Sequence, residues 1–527
     1  MDGLSATAAD GLRVERSVVN YEPVIPPTPR DRRSTDPSTP PPMPADDLMS
    51  TLDEAKPVHA RWSEVNRQFL EFVAANPECL DRGSYAAVCQ APRLQTYSSV
   101  QPWPLFFEPP RLREVAEMAV GMDGLVRAAV ERFLRNDART IVDYYHEGLS
   151  TDGSPGTSGV INERSISHMV SAPNGVASAF SRSDYLETRE GLKLMEVNSS
   201  GFVGGLVTDY LCERYLESTP TARFLRQVNR RARPMGIRRA MLRHVVEDTE
   251  RLGAWTEGDF NVAIAIHPNR PTIVAEYDAE EYTRDLHAAL VEAGHAPRGR
   301  VMMCSLEDVS ADSSGVTLAG EPVHAVLEQH TGRANAVLPV FWAFKAGRVN
   351  LFSGPIKRLQ SDKRSLALVS EHADSADFTA AERALIERHL AWTRRLLPSR
   401  TTFRGRPLRL PDDLPAGRDD FVLKKGWSRS GQGVVVGRFR TPDEWEQAIA
   451  QAVGEGDWVV QERLESVPYC FHDAQAGAAW HEVVWGLFVF GEHFGGVHLT
   501  MQPTGQGGGV VNPNQGAGLG AGLALVD

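Results

Sequence analysis

Two short polar pairs carry the first chemical signal. Arg182-Ser183-Asp184 and Glu196-Val197-Asn198 each place polar side chains at alternate positions, so on extended strands each pair points to one face. A turn-like break, Thr188-Arg189-Glu190-Gly191, separates Asp184-Tyr185-Leu186 from Leu192-Lys193-Leu194-Met195, and this spacing predicts a hairpin across which the pairs converge. A carboxylate beside a carboxamide supplies the hard oxygen donors that Mg²⁺ prefers and leaves positions for water and nucleotide phosphates. Arg182 would meet a transferring phosphoryl group. The competing reading is a solvated, salt-bridged hairpin. Against it stands the setting, because Glu196-Val197-Asn198 runs directly into Ser199-Ser200-Gly201-Phe202-Val203-Gly204-Gly205, and strand ends followed by glycine loops are common places for sites.

A second constellation lies in the last third. Phe421-Val422-Leu423 leads into Lys424-Lys425 and then Gly426-Trp427-Ser428-Arg429-Ser430-Gly431-Gln432-Gly433, before Val434-Val435-Val436 resumes a strand. Backbone N–H groups of such a loop close over phosphate oxygens, and a lysine on the preceding strand adds a point charge to them. Gly and Ser also make plain hairpin turns, so the loop alone leaves both readings open. The Walker pattern is excluded: Gly426 and Gly431 have its first spacing, but Gln432-Gly433 stands where Lys and Ser/Thr are required. His481-Glu482-Val483-Val484-Trp485 begins like a zinc-protease helix but lacks the second histidine.

The elements that must position these residues are partly legible. Thr441-Pro442-Asp443-Glu444 combines an N-cap hydroxyl, a proline at the first helical position and an acid at the third, so a helix is expected through Ala448 and Ile449. Trp458-Val459-Val460-Gln461-Glu462-Arg463-Leu464 then reads as the returning strand. A strand at Val262 to Ile266, a helix from Glu281 to Ala293 and a strand at Val301 to Met303 make a unit that normally builds a parallel sheet. From Val58 to about Ala240 the pattern is mostly helical, with Leu112, Val115, Met118 and Ala119 at helical spacing. Ahead of it, prolines at 26–29 and 40–44 predict a disordered tail to residue 57. A chain starting near Asp53 is then expected to keep its melting temperature.

Bulk properties set the outer bounds. At 527 residues the chain predicts two or three packed units. A net charge of -12 argues against a general nucleic-acid binder, and no apolar run approaches the roughly 20 residues of a membrane helix. Five cysteines, an odd number without CxxC spacing, read as buried thiols in a reducing compartment. Met1-Asp2-Gly3-Leu4 lacks the basic and apolar regions of a secretory signal, so the expected location is cytoplasmic.

The pairs at 182/184 and 196/198, then Ser361-Asp362-Lys363 after Gly354-Pro355, then Val422-Leu423-Lys424 with its glycine loop, then Val460-Gln461-Glu462 occur in an order that resembles the circularly permuted ATP-grasp proteins around glutathionylspermidine synthase. In ordinary ATP-grasp enzymes the metal ligands follow the nucleotide lid, whereas here the candidate ligands precede it. The resemblance covers roughly residues 180 to 515. It implies an α/β (α+β) chain with a permuted ATP-grasp fold, a pre-ATP-grasp-like α/β domain at 256–345 and a helical substrate-side region at 58–180. The metal-binding part would be 181–255 and the nucleotide-binding part 346–527.

Carried over by position, Asp184, Glu196 and Asn198 would hold Mg²⁺, and Arg182 would lie near the transferred phosphate of ATP. Lys363 and Lys424 would hold phosphates under a loop that includes Ser430, Gly431 and Gly433. Gln461, the carbonyl of Glu462 and the N–H of Leu464 would address adenine. The implied reaction joins a small-molecule carboxylate, an amino acid or peptide, to an amine through an acyl phosphate. The chain departs from the family where an arginine is common near the C-terminus: Thr500-Met501-Gln502-Pro503 stands there instead. That departure favours a catalytically impaired nucleotide-binding scaffold; an ATP-dependent phosphotransferase of the same fold is the other alternative.

Overall fold

The computed structural model describes residues 45–97, 99–136, 180–200, 203–266, 278–328, 337–352, 357–428, 433–474, 476–513 and 516–526. At its centre is the expected hairpin: Phe180–Thr188 and Gly191–Ser200 pair antiparallel. Thr188 closes the turn, its hydroxyl donating to Gly191 O at 2.9 Å and accepting from the Glu190 N–H at 3.2 Å.

A hairpin alone is marginal in water and needs further strands, and these come from the distant end of the chain. Leu105–Phe107, Gly518–Val526, His493–Pro503, Gly477–Phe490, Phe180–Thr188 and Gly191–Ser200 lie in that order in an eight-stranded sheet, with Tyr469–Asp473 and Arg231–Arg233 paired beside them. The stretches 181–255 and 346–527 therefore share one sheet. Region 58–180 supplies an edge strand to it, Leu105–Phe107 running parallel to Gly518–Val526, along with the expected helices Glu64–Ala75 and Pro109–Asn136.

The strand, helix, strand unit takes the expected form. Val262–Ala265 and Val301–Cys304 are parallel neighbours joined through helix Ala279–Glu292. Two more parallel strands, Ala325–Glu328 and Asn350–Phe352, complete this sheet, which carries it past the boundary at 345. A third sheet is antiparallel, in the order Thr393–Arg395, Trp458–Glu462, Phe421–Lys425, Val434–Val436. Helix Pro442–Glu455 backs it, started by the reciprocal cap in which Thr441 Oγ1 accepts from Glu444 N–H and the Glu444 carboxylate accepts from Thr441 N–H. Phe421 and Leu423 join Trp445 and Ile449 in one apolar cluster, so by alternation Val422 and Lys424 face away from that helix.

The span read as tail needs correction at its end. Helix Ala45–Ala60 begins inside it, and Leu52 and Ala55 are fully buried. The signal was a short stripe, Leu48, Leu52 and Ala55 at helical spacing, overlooked beside the prolines. The connection after this helix is fixed by Trp62, whose Nε1 donates to Glu187 Oε2 at 3.0 Å and Tyr469 Oη at 2.6 Å. A chain starting at Asp53 loses the helix's first half and Leu52, so its melting temperature should fall, by calorimetry, together with that of Leu52→Ala, for which burial sets a cost of about 2–5 kcal/mol. An unchanged melting temperature in both would show that the helix does not contribute to the core.

The described residues belong to one compact unit. Among the described residues no helix is long and apolar enough to cross a membrane. All five cysteines are free thiols, with Cys79, Cys212 and Cys470 buried and Cys89 and Cys304 half-buried.

Candidate functional site

Register brings the two polar pairs together. Arg182 lies opposite Asn198 and Asp184 opposite Glu196, so all four share one face. Asn198 Nδ2 donates to Asp184 Oδ2 at 2.9 Å, and Arg182 Nε donates to Asp184 Oδ1 at 3.3 Å. Arg182 Nη1 continues to Gly204 O at 2.9 Å, which ties the glycine loop after the hairpin to the site. Gly486, opposite Asp184 on the next strand, makes this reach possible: a Cβ there would stand 3.0 Å from Arg182 Cδ.

Directly before Glu196 the ladder is irregular. Asp184 pairs with Glu196 but Tyr185 pairs with Leu194, leaving Met195 as the extra residue of a bulge. Its carbonyl accepts from Lys424 Nζ at 3.4 Å and from Gln461 Nε2 at 3.2 Å. The bulge thereby joins the hairpin to the third sheet through two expected nucleotide-site residues. No motif in the sequence marks it.

Lys363 begins helix Lys363–Glu371, capped by Asp362, and is buried. Its Nζ lies 3.1 Å from Glu196 Oε1 and 3.3 Å from Ser428 Oγ, while its backbone N–H donates to Gly426 O at 2.9 Å. The root of the glycine loop is thus bound to Lys363. Gly426 has no space for a side chain, since a Cβ would sit 2.7 Å from Asp457 O and 2.9 Å from Arg364 Nε. Gly433 ends the loop, whereas Ser430 and Gly431 lie outside the described residues. Lys425 points to the opposite side from Lys424 and pairs with Glu455 at 3.0 Å, as strand alternation requires.

Asp184, Glu196, Lys424, Gln461, Glu462 and Leu464 all line one cavity of about 380 Å³ between the large sheet and the third sheet. Arg182, Asn198 and Lys363 adjoin this lining through the contacts above. Its walls also include residues to which the sequence assigned no site role: apolar Leu186, Val422 and Val484, the acid Glu482, and Asn512 after the late glycines. The apolar ones were hidden because alternate strand positions give no functional signal.

The charges are strongly interdependent. Burial pushes the Asp184 carboxyl up, Arg182 opposes this, and neighbouring Glu196 pushes it further up. For Glu196, burial acts upward, but Lys363 and Lys424 outweigh it and hold the carboxyl below its usual range. Burial lowers Lys424 to about 8, against the attraction of Glu196 and with the repulsion of Lys363. Buried His498 is kept neutral by its burial and by Arg182. Its Nδ1 lies 2.9 Å from Thr208 Oγ1, which donates its own proton to Gly205 O at 2.6 Å, so Nδ1 carries the hydrogen.

Lys424 makes stability depend on pH in a calculable direction. Between about pH 8 and 10.5 the unfolded chain keeps a proton on this amine that the folded protein has released, so its contribution to stability rises with pH across that window. Lys424→Met should flatten that part of the curve in denaturant titrations, and the same slope in both proteins would contradict the lowered value.

Among the described residues no group of three or more His, Cys, Asp and Glu side chains forms a metal cluster. Asp184, Glu196 and Asn198 nevertheless fit a hard cation that keeps waters and phosphates as its other ligands. A cation between the two carboxylates would relieve the repulsion that raises Asp184.

No family model matches the sequence, and no curated protein matches it. Among solved structures the chain is similar to a glutathione synthetase-like effector from Globodera pallida in its apo form, with a TM-score of 0.53, 12% identity, and coverage of 85% of this chain and 97% of that one. The two chains share a fold. At that identity the likeness carries no residue roles.

Proposed function

We propose that the chain is an ATP-dependent carboxylate–amine ligase with a circularly permuted ATP-grasp fold. The observation that carries this reading is the meeting, around one cavity, of paired oxygen ligands on the large sheet with Lys424 and the Gln461–Leu464 segment of a facing sheet. Fold likeness to a glutathione synthetase-like effector supports it.

In this reading Asp184, Glu196 and Asn198 hold Mg²⁺, which neutralises charge on the nucleotide phosphates. Lys424 adds a buried cation on the opposite wall and Lys363 secures the glycine loop beside it. Gln461, the Glu462 carbonyl and the Leu464 N–H face the adenine, while Leu186, Val422 and Val484 enclose it. Arg182, held by Gly204 and beside a neutral His498, is placed to meet the transferring phosphoryl group. A substrate carboxylate takes that group, the amine then attacks the acyl carbon, and phosphate leaves as the amide forms. Positioning, charge and exclusion of water are the protein's contributions.

Purified protein incubated with ATP, Mg²⁺ and pooled amino acids should yield ADP, phosphate and a condensed product by mass spectrometry. ADP without an amide would favour the phosphotransferase. Nucleotide binding without ADP would favour the scaffold, which the absence of an arginine at 500–503 keeps in view.

A further inference from the structure

Arg182 extends over Gly486 and donates from Nη1 to Gly204 O at 2.9 Å. A carbonyl set between two glycines is by itself a loose anchor, because glycine gives up more backbone freedom on ordering than any other residue. Gly205 also sits at a φ of +97°, in the left-handed region. A long guanidinium side chain held only by such a peptide would keep much of its own freedom.

A buried hydrogen-bonded chain restrains this peptide. Gly205 O accepts from the Thr208 N–H at 3.1 Å and from Thr208 Oγ1 at 2.6 Å. With its hydrogen engaged there, the Thr208 hydroxyl accepts from His498 Nδ1, 2.9 Å away. His498 Nε2 is then an acceptor, and Thr500 Oγ1 stands 3.3 Å from it. Thr208, His498 and Thr500 are all buried, which strengthens each of these bonds. The packing is close as well: a Cβ on Gly205 would stand 3.1 Å from His498 Nδ1 and 3.4 Å from Arg182 Nη1. His498 lies opposite Gly486, which in turn lies opposite Asp184. The histidine is thus two strands away from the proposed cation ligands and is not part of the cavity wall.

We propose that His498 is a positioning residue for Arg182: through Thr208 it locks the Gly204–Gly205 peptide, and that peptide holds the guanidinium where the phosphoryl group passes. This rests on the reading of the cavity as an ATP site with Arg182 at the transferred phosphate. In that reading His498 touches neither nucleotide nor cation, so its loss acts on turnover and leaves ATP affinity alone. Asparagine offers an N–H near the place of Nδ1, whereas leucine fills the volume without a donor.

The test measures ATP affinity, and ADP release with Mg²⁺ and pooled amino acids, for full-length wild type, His498→Leu, His498→Asn, Thr208→Val, and Arg182→Leu with and without His498→Leu. Turnover should fall by at least about 10-fold in His498→Leu and in Thr208→Val, with the ATP dissociation constant unchanged. His498→Asn should keep most of the wild-type rate. In the Arg182→Leu background, His498→Leu should cost no further turnover, because the group it positions is gone. A further loss in that background, an asparagine variant as slow as the leucine one, or ATP binding weakened in step with turnover would give His498 a merely structural role and overturn the proposal. Wild-type turnover in His498→Leu overturns it as well and leaves the ATP-site reading intact. A wild type that binds ATP but releases no ADP overturns the proposal without touching the nucleotide site, and one that binds no ATP overturns both.

Discussion

Glu196→Gln should lower Mg²⁺-dependent ATP turnover by at least about 100-fold, since even the outer partners of metal ligands are worth 10–100-fold. The substitution keeps the shape of the side chain and removes the negative charge that faces Asp184 across the hairpin. It also leaves Lys363, 3% exposed and 3.1 Å away, without its counterion. Stability should therefore fall as well, toward the roughly 3–5 kcal/mol seen when one partner of a buried pair is removed, discounted because the Glu196 side chain is 28% exposed. This loss has a pH signature. Because Glu196 is held below its usual range, its stabilisation is present above the unfolded carboxylate pKa and disappears as pH falls through the folded value.

Activity and stability can be separated in one further variant. Adding Lys363→Met to Glu196→Gln removes the stranded cation and should restore much of the melting temperature, while turnover stays lost. Turnover at the wild-type rate in Glu196→Gln, measured as ADP released over a Mg²⁺ series, would remove Glu196 from the metal site.

The parts of this site that the sequence made legible are those written in short-range spacing. Arg182-x-Asp184 and Glu196-x-Asn198 announced a shared strand face, and Thr188 to Gly191 announced the turn that brings the pairs opposite each other. Thr441 to Glu444 fixed the start of the helix that settles which face Lys424 occupies. What stayed hidden depends on partners far along the chain. Nothing near Met195 signals that it bulges, because the bulge has meaning only once Lys424 and Gln461 arrive to take its carbonyl. Lys363 was expected on phosphate alone, and its ion pair with Glu196 needed the packing of a helix start against the hairpin. Gly486 belongs to no motif, yet it is the space over which Arg182 extends. The pairing of distant segments was hidden for the same reason: strands from 180–200 and 477–526 are hydrogen-bonded neighbours, and no local composition change records that.

The other large effect belongs to Lys424. This amine ends the apolar strand before the glycine loop, is 7% exposed, and is lowered to about 8 by burial. Nucleotide phosphates would supply the charge it lacks. Lys424→Met keeps much of the stem and loses the cation, so ATP affinity should fall by roughly 1–3 kcal/mol, about 5–150-fold. Without nucleotide the variant should be at least as stable as wild type near neutral pH, because it no longer buries a charge beside Lys363.

Calorimetric titration of ATP into wild type, Lys424→Met and Lys425→Met tests the nucleotide site most directly. Lys425 is the internal control, adjacent in sequence but turned to the other side of the strand and paired with Glu455. The account predicts a large loss of affinity in Lys424→Met and near wild-type binding in Lys425→Met. Unchanged affinity in Lys424→Met, or an equal loss in both variants, would contradict it.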